Sequence, residues 1–172
     1  MENKALSVFS TFVLCFVMWI LFTLTFTPQE LIAGAIVSLL VAIFTAKYLI
    51  HEDALHLFKP NVVINLILYV LFVFPVELWK ANVDVAKRAL NPKLPITPGI
   101  VKVPVDLKSE YGLAMLANSI TLTPGTITME IVEEKGQHFF YIHWIDVAAK
   151  NGKEAVDMIK GKLESWIRRI WK

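Results

Sequence analysis

No charged residue occurs between Ala5 and Gln29. As a helix rising 1.5 Å per residue, Ser7–Phe26 alone reaches roughly 30 Å, the thickness of a bilayer's hydrocarbon core. The stretch is too long and too aromatic for the apolar region of a signal peptide, and no small-residue cleavage site closes it. The sequence therefore predicts a retained membrane helix.

Thr27-Pro28-Gln29-Glu30 follows as a short turn, with Pro28 placed to end one helix and open the next. A second apolar segment runs over Leu31–Ile50, its one charge, Lys47, near the end where it can snorkel to headgroups. So short a link makes these two helices an antiparallel hairpin. Gly34, Ala35 and Ser38 fall near one face of the second helix; they either admit close backbone approach or simply face lipid.

His51–Lys59 is polar and reads as a loop, and Pro60–Val76 is a third apolar run whose helix continues to about Leu90. Beyond Glu77 it becomes amphipathic. Val76, Trp79, Val83, Ala86 and Leu90 share one side, while Lys80, Asp84, Lys87 and Arg88 fall elsewhere. Basic residues cluster after this segment, so the positive-inside rule places the C-terminal half in the cytoplasm. Three full crossings would put the N-terminus outside. Glu77 and Lys80, three residues apart, can form an ion pair at the interface.

The remaining residues behave differently. The first 90 carry six of the 17 basic and six of the 15 acidic residues; the last 82 carry the rest. With 56% hydrophobic and 19% charged residues overall, the chain is not a single soluble globule, since those usually sit near 45–50% and about 25%. Cys15 is the only cysteine, which excludes an intramolecular disulfide or a cysteine zinc site, and a net charge of +2 offers no nucleic-acid footprint.

Pro92, Pro95 and Pro98 make residues 91–99 a stiff linker between residues 1–90, the membrane helices with their interfacial extension, and a soluble domain over residues 100–172. In that domain Ile100–Leu107 alternates as a half-buried strand with Pro104 hinting at an edge. Ser109 is an N-cap for a helix over about Glu110–Ile120, and Thr123-Pro124-Gly125-Thr126 has the pattern of a type II turn. Ile127–Glu134 and His138–Val147 read as a hairpin through Lys135-Gly136-Gln137. Lys153–Trp171 is a final amphipathic helix. The order β-α-β-β-α predicts a small α+β layer behind three hydrophobic membrane helices.

Chemistry is sparse. His138 and His143 lie five apart on a strand, hence on opposite faces, and His51 and His56 sit in a loop. There is no Gly-rich phosphate loop, no nucleophile elbow and no carboxylate pair at a useful spacing, so no catalytic, cofactor or metal site is expected. The most hydroxyl-rich stretch is Asn118-Ser119-Ile120-Thr121-Leu122-Thr123-Pro124-Gly125-Thr126. Its Ser and Thr either satisfy backbone at a helix end and turn, the reading physics favours, or form a contact surface.

The hydrophobic hairpin, the third helix with its basic end, and the string Ser119-Ile120-Thr121-Leu122-Thr123-Pro124-Gly125-Thr126 together resemble the E-type component of the Mrp (Mnh) multisubunit Na+/H+ antiporters. Close homologues of that component occur in archaeal membrane-bound hydrogenase-type complexes. The resemblance covers nearly the whole chain. It implies a non-catalytic, multi-pass subunit of the cell membrane with a cytoplasmic C-terminal domain, needing no cofactor of its own. Its partners would be the other integral membrane subunits of an antiporter or hydrogenase-like complex and the lipid bilayer. Asn118, Ser119, Thr121, Thr123, Pro124, Gly125 and Thr126 carry over as a motif and interface signature. A rival reading is a membrane-tethered small α+β enzyme or ligand sensor.

Overall fold

A computed structural model describes residues 4–48, 55–147 and 158–171. The chain divides into two compact units, Met1–Lys59 and Pro60–Lys172.

The first unit is a helical hairpin of α1 (Lys4–Thr23) and α2 (Pro28–Tyr48). α1 ends where Leu24 takes a left-handed φ of 50°. Thr27 opens α2: its carbonyl accepts the Leu31 N–H at 3.0 Å and its hydroxyl oxygen the Glu30 N–H at 3.4 Å. Residues 49–50, the end of the predicted second segment, lie outside the described residues.

The two helices meet through small residues. Gly34, Ser38, Ala42 and Ala46 recur every fourth position along α2 and are all buried, as are Ser7 and Ser10 on α1. The Gly34 site is occupied by an aromatic ring: a Cβ there would lie 2.5 Å from Trp19 Cδ1. Ser10 satisfies its own hydroxyl by donating to the Ser7 carbonyl at 3.1 Å. The remaining large side chains, among them Phe22, Ile32 and Leu40, point outward. In water that surface would aggregate; in lipid it is solvated.

A 3₁₀ turn at His56–Phe58 falls at the end of the first unit; the second begins with one long helix in three parts: α3 (Pro60–Leu68), a π-helical turn (Tyr69–Val73) and α4 (Phe74–Ala89). The π turn has a local cause. Pro75 has no N–H to offer and its ring crowds the preceding carbonyls, so the helix widens and the Phe74 N–H reaches back to the Tyr69 carbonyl.

β1 (Gly99–Val105), α5 (Glu110–Leu122), β2 (Thr126–Glu134), β3 (Gln137–Trp144) and α6 (Leu163–Ile170) complete the unit. The strands form an antiparallel sheet of order β1-β3-β2, which leaves β1 and β2 as edges and tolerates Pro104. Ser109 caps α5, its hydroxyl oxygen accepting the Gly112 N–H at 3.3 Å. The hairpin turn is shorter than the sequence implies: Lys135 and Gly136 alone form it, both at positive φ (52° and 80°), the geometry of a type I′ turn.

Val103, Val105, Phe140 and Ile142 face Leu116 and Ile120 of α5 and Leu163, Ile167 and Ile170 of α6, all essentially excluded from solvent. Fully burying each such side chain contributes about 1.5–3 kcal/mol. Val62 and Tyr69 belong to the same core.

The last helix differs from expectation. Residues 158–160 are helical, but Gly161 adopts a φ of +48° and interrupts the run before α6. The predicted beginning at Lys153 lies outside the described residues.

Candidate functional site

The hydroxyl-rich motif lies at the C-terminal end of α5, where helix carbonyls lose their intrahelical partners. The Ile120 carbonyl accepts from the Thr123 and Thr126 hydroxyls, each at 2.7 Å, and from the Thr123 N–H at 3.2 Å. Those two hydroxyl oxygens are themselves 3.0 Å apart. Thr121 is exposed; its hydroxyl oxygen accepts the Thr128 N–H at 3.1 Å, joining helix to β2. Asn118 is exposed on α5. The Thr123 and Thr126 hydroxyls are thus committed to the helix end.

Thr123-Pro124-Gly125-Thr126 closes as a type II turn, with Gly125 at φ +93° and the Thr126 N–H 3.4 Å from the Thr123 carbonyl. The Gly125 carbonyl accepts the Ile145 N–H at 2.8 Å, and a Cβ on Gly125 would meet Ile145 Cγ2 at 2.9 Å. Glycine is therefore required twice, for the dihedral and for the space.

Ser119 connects elsewhere. Its hydroxyl donates to the Met115 carbonyl at 2.7 Å and accepts from Tyr69 at 2.6 Å. Tyr69 is almost fully buried although it sits within the third apolar run. The sequence reading passed over it. The available signal was a hydroxyl in the middle of a hydrophobic stretch, which needs a partner wherever it is dry.

A cleft of about 280 Å³ lies between α4 and the α+β layer. Glu77, Lys80 and Asp84 line its helix side; Thr123, Pro124 and Thr126 line the opposite wall, beside Trp144 and Ile145. The Lys80 ammonium donates to Glu77 Oε1 at 2.9 Å, with Glu77 mostly covered and Lys80 exposed. Two groups named separately from sequence thus share one cleft. Among the described residues, no three His, Cys, Asp or Glu side chains converge on a point that could hold a metal ion.

Two charged clusters escaped the sequence reading. Arg88 donates to both carboxylate oxygens of Asp84 (Nε at 2.7 Å, Nη2 at 3.3 Å), to the Pro95 carbonyl at 2.9 Å and to Asp146. It clamps the end of α4, the proline-rich segment and the chain leaving β3. That segment is further held by the Val147 N–H, which donates to the Thr97 carbonyl at 2.8 Å. The second cluster is centred on Glu164, which accepts from the Asp106 N–H at 2.5 Å and pairs with Lys160, whose ammonium also reaches the Pro104 carbonyl at 2.6 Å. Arg88 and Lys160 thus cross-link segments that are remote in the chain.

The family model described as Na+/H+ ion antiporter subunit matches residues 12–170. The chain is 36% identical to the E1 component of the Na+/H+ antiporter of Staphylococcus haemolyticus over 96% of its own length and 98% of that protein's. It is 35% identical to the E component of the Na+/H+ antiporter of Alkalihalophilus pseudofirmus, over 78% of this chain and 80% of the relative. Its fold matches one chain of an archaeal respiratory membrane complex, the membrane-bound sulfane sulfur reductase, with a TM-score of 0.79 and 38% identity over 96% of this chain and 99% of that one. With the apolar hairpin, the α+β layer and the hydroxyl-capped turn matched along nearly its full length, the chain belongs to the MNHE family of Na+/H+ ion antiporter subunits.

Proposed function

We propose that this chain is a non-catalytic accessory subunit of a multisubunit Na+/H+ antiporter module, supporting its assembly and ion transport alongside other integral membrane subunits. The observation that carries this reading is the end-to-end match to E-type antiporter components. The residues agree with it: the hydroxyls of the motif are committed to backbone, and the apolar spans hold no central carboxylate for a proton relay. Residues 1–90 form the membrane-associated part, 91–99 the connecting segment, and 100–172 a cytoplasmic lobe, with the chain passing the cell membrane more than once. Asn118, Ser119, Thr121, Thr123, Pro124, Gly125 and Thr126, with the Glu77–Lys80 pair opposite, shape the surface offered to a neighbouring subunit.

The same accessory role inside a redox-driven complex is a second reading, favoured by the 38% identity to a chain of the sulfane sulfur reductase. The genes flanking this one decide between them: antiporter-like chains alone support the first, and added redox subunits the second. A membrane-tethered enzyme or ligand sensor is the rival of a different class. The deciding experiment removes this chain from its complex. Loss of Na+-dependent proton movement in inverted vesicles, with the remaining subunits no longer co-purifying, is the expected result. Full exchange by the remaining subunits would refute the proposal.

A further inference from the structure

The third apolar helix is long and apolar enough to cross a bilayer, yet one side of it is covered by the α+β layer almost end to end. Val62 near its start is buried in the common core and α3 packs on α6. Tyr69 is bonded to Ser119, and Val73 and Phe74 pack on the same core. Glu77 lies against Gly161, where a Cβ would come 3.2 Å from Oε2, and Arg88 is paired with Asp146. From Val62 to Arg88 these attachments extend about 39 Å along the axis, more than the roughly 30 Å of a hydrocarbon core.

A helix cannot cross lipid while a layer packed along its whole length stays in water. The layer cannot enter lipid either. Both edge strands carry unpaired backbone groups, each costing several kcal/mol in hydrocarbon. The Lys102–Glu134 and Arg168–Asp106 pairs are also on its surface.

We propose that Pro60–Ala89 lies in the plane of the membrane, its outward face seated in the headgroup–acyl boundary of an anionic bilayer and its inward face bound to the lobe. This rests on the reading of the lobe as lying outside the bilayer. Ile64, Ile67, Leu71, Phe72, Val76 and Trp79 form the outward face, each at least half exposed. Lys87 and Lys93, both exposed, follow at its C-terminal end, as anionic headgroups require.

The charge distribution of the hairpin agrees independently. With two crossings and one in-plane helix, Lys4, Lys47, Lys59, Lys80, Lys87 and Arg88 all fall on the lobe's side, and the Leu24–Thr27 turn on the far side carries no charge. Three crossings would export Lys4, Lys47 and Lys59 and leave the uncharged turn inside, against the positive-inside rule. The N-terminus therefore shares the lobe's side of the membrane, the reverse of a three-span topology.

The test uses the full chain in its native membrane, with Cys15→Ser as background and single cysteines at Glu2, Thr25, Lys59 and Lys93. An impermeant maleimide applied to intact cells and to inverted vesicles should label positions 2, 59 and 93 from one side and position 25 from the other. Labelling of 59 and 93 from opposite sides would overturn the proposal. Spin labels at Ile64, Leu71 and Trp79 should report the same shallow depth, accessible to oxygen. A depth maximum at position 71 would mean a span, and exclusion of oxygen from all three would mean a protein partner covers the face; either overturns it. Membership of the complex, read by co-purification, is independent of these outcomes.

Discussion

The Tyr69 hydroxyl donates to Ser119 Oγ at 2.6 Å, a bond between residues 50 apart in the chain, and both groups are buried. It ties the π turn of the third helix to the helix that carries the hydroxyl motif. The two partners are not equivalent. Ser119 keeps its own bond to the Met115 carbonyl if Tyr69 loses its hydroxyl, whereas the Tyr69 hydroxyl has no other partner among the described residues. Tyr69→Phe should therefore cost about 1 kcal/mol, and Ser119→Ala about 1–3 kcal/mol, because the latter leaves a buried donor unmet. Thermal unfolding of the full chain in detergent, followed by tryptophan fluorescence, measures both. A larger loss for Tyr69→Phe than for Ser119→Ala would contradict the account.

Gly34 and Trp19 make a similar case in the hairpin. A Cβ at position 34 meets three atoms of the indole within 2.9 Å, so Gly34→Val must push the helices apart. Overpacking of this kind costs about 1–3 kcal/mol. We expect reduced amounts of the chain in the assembled complex, and partial recovery when Trp19→Ala vacates the space. No recovery would mean that the lost small residue, and not the clash, was responsible.

Gly125→Ala should destabilise by about 1–3 kcal/mol, since alanine at φ +93° is strained and its methyl would lie 2.9 Å from Ile145 Cγ2. Gly136→Ala, also at positive φ but with open space around it, should lose only the dihedral part. Comparing the two unfolding midpoints separates backbone strain from collision; equal losses would remove the steric half of the argument.

Two glutamates on the same lobe should respond in opposite degrees. Glu164 is buried, with a backbone N–H and Lys160 as partners, and its replacement by Ala should cost about 3–5 kcal/mol by leaving a lysine in a covered site. Glu134 pairs with Lys102 in the open, across the Phe139 ring, and Glu134→Ala should leave the unfolding midpoint unchanged within error. The hydrogen bond to Glu134 raises the Lys102 pKa above the usual lysine value. A raised folded-state pKa means that any stabilisation is complete below the unfolded value and disappears as pH climbs through the folded one. Whatever this exposed pair contributes is therefore independent of pH near neutrality and is lost only in alkali. A midpoint that moves there on Glu134→Ala would contradict the reading.

Much of the architecture could be read from the chain. The hairpin follows from an uninterrupted lack of charge and a proline turn, the cap from Ser109, and the sheet from period-two alternation. The type II turn follows from Pro124-Gly125. Each of these depends on residues within a few positions of one another. Errors arose where a local pattern was continued past its support. The π turn at Tyr69–Val73 and the break at Gly161 interrupt helices whose apolar period runs straight through them.

The candidate site was only half legible. Its motif was visible as a string, but the opposite wall comes from α4, some 40 residues earlier, and nothing in either segment announces the other. By itself the sequence determined which segments are helix or strand and which faces are apolar, because backbone geometry repeats over a few residues. Only the tertiary structure decided what covers each face. Val62, Leu66 and Val73 turn toward the lobe while Ile64, Leu71 and Val76 turn away, although all six read alike as greasy side chains. Burial of apolar surface is non-directional: periodicity records that a stripe avoids water, and only packing shows whether protein or lipid replaces it.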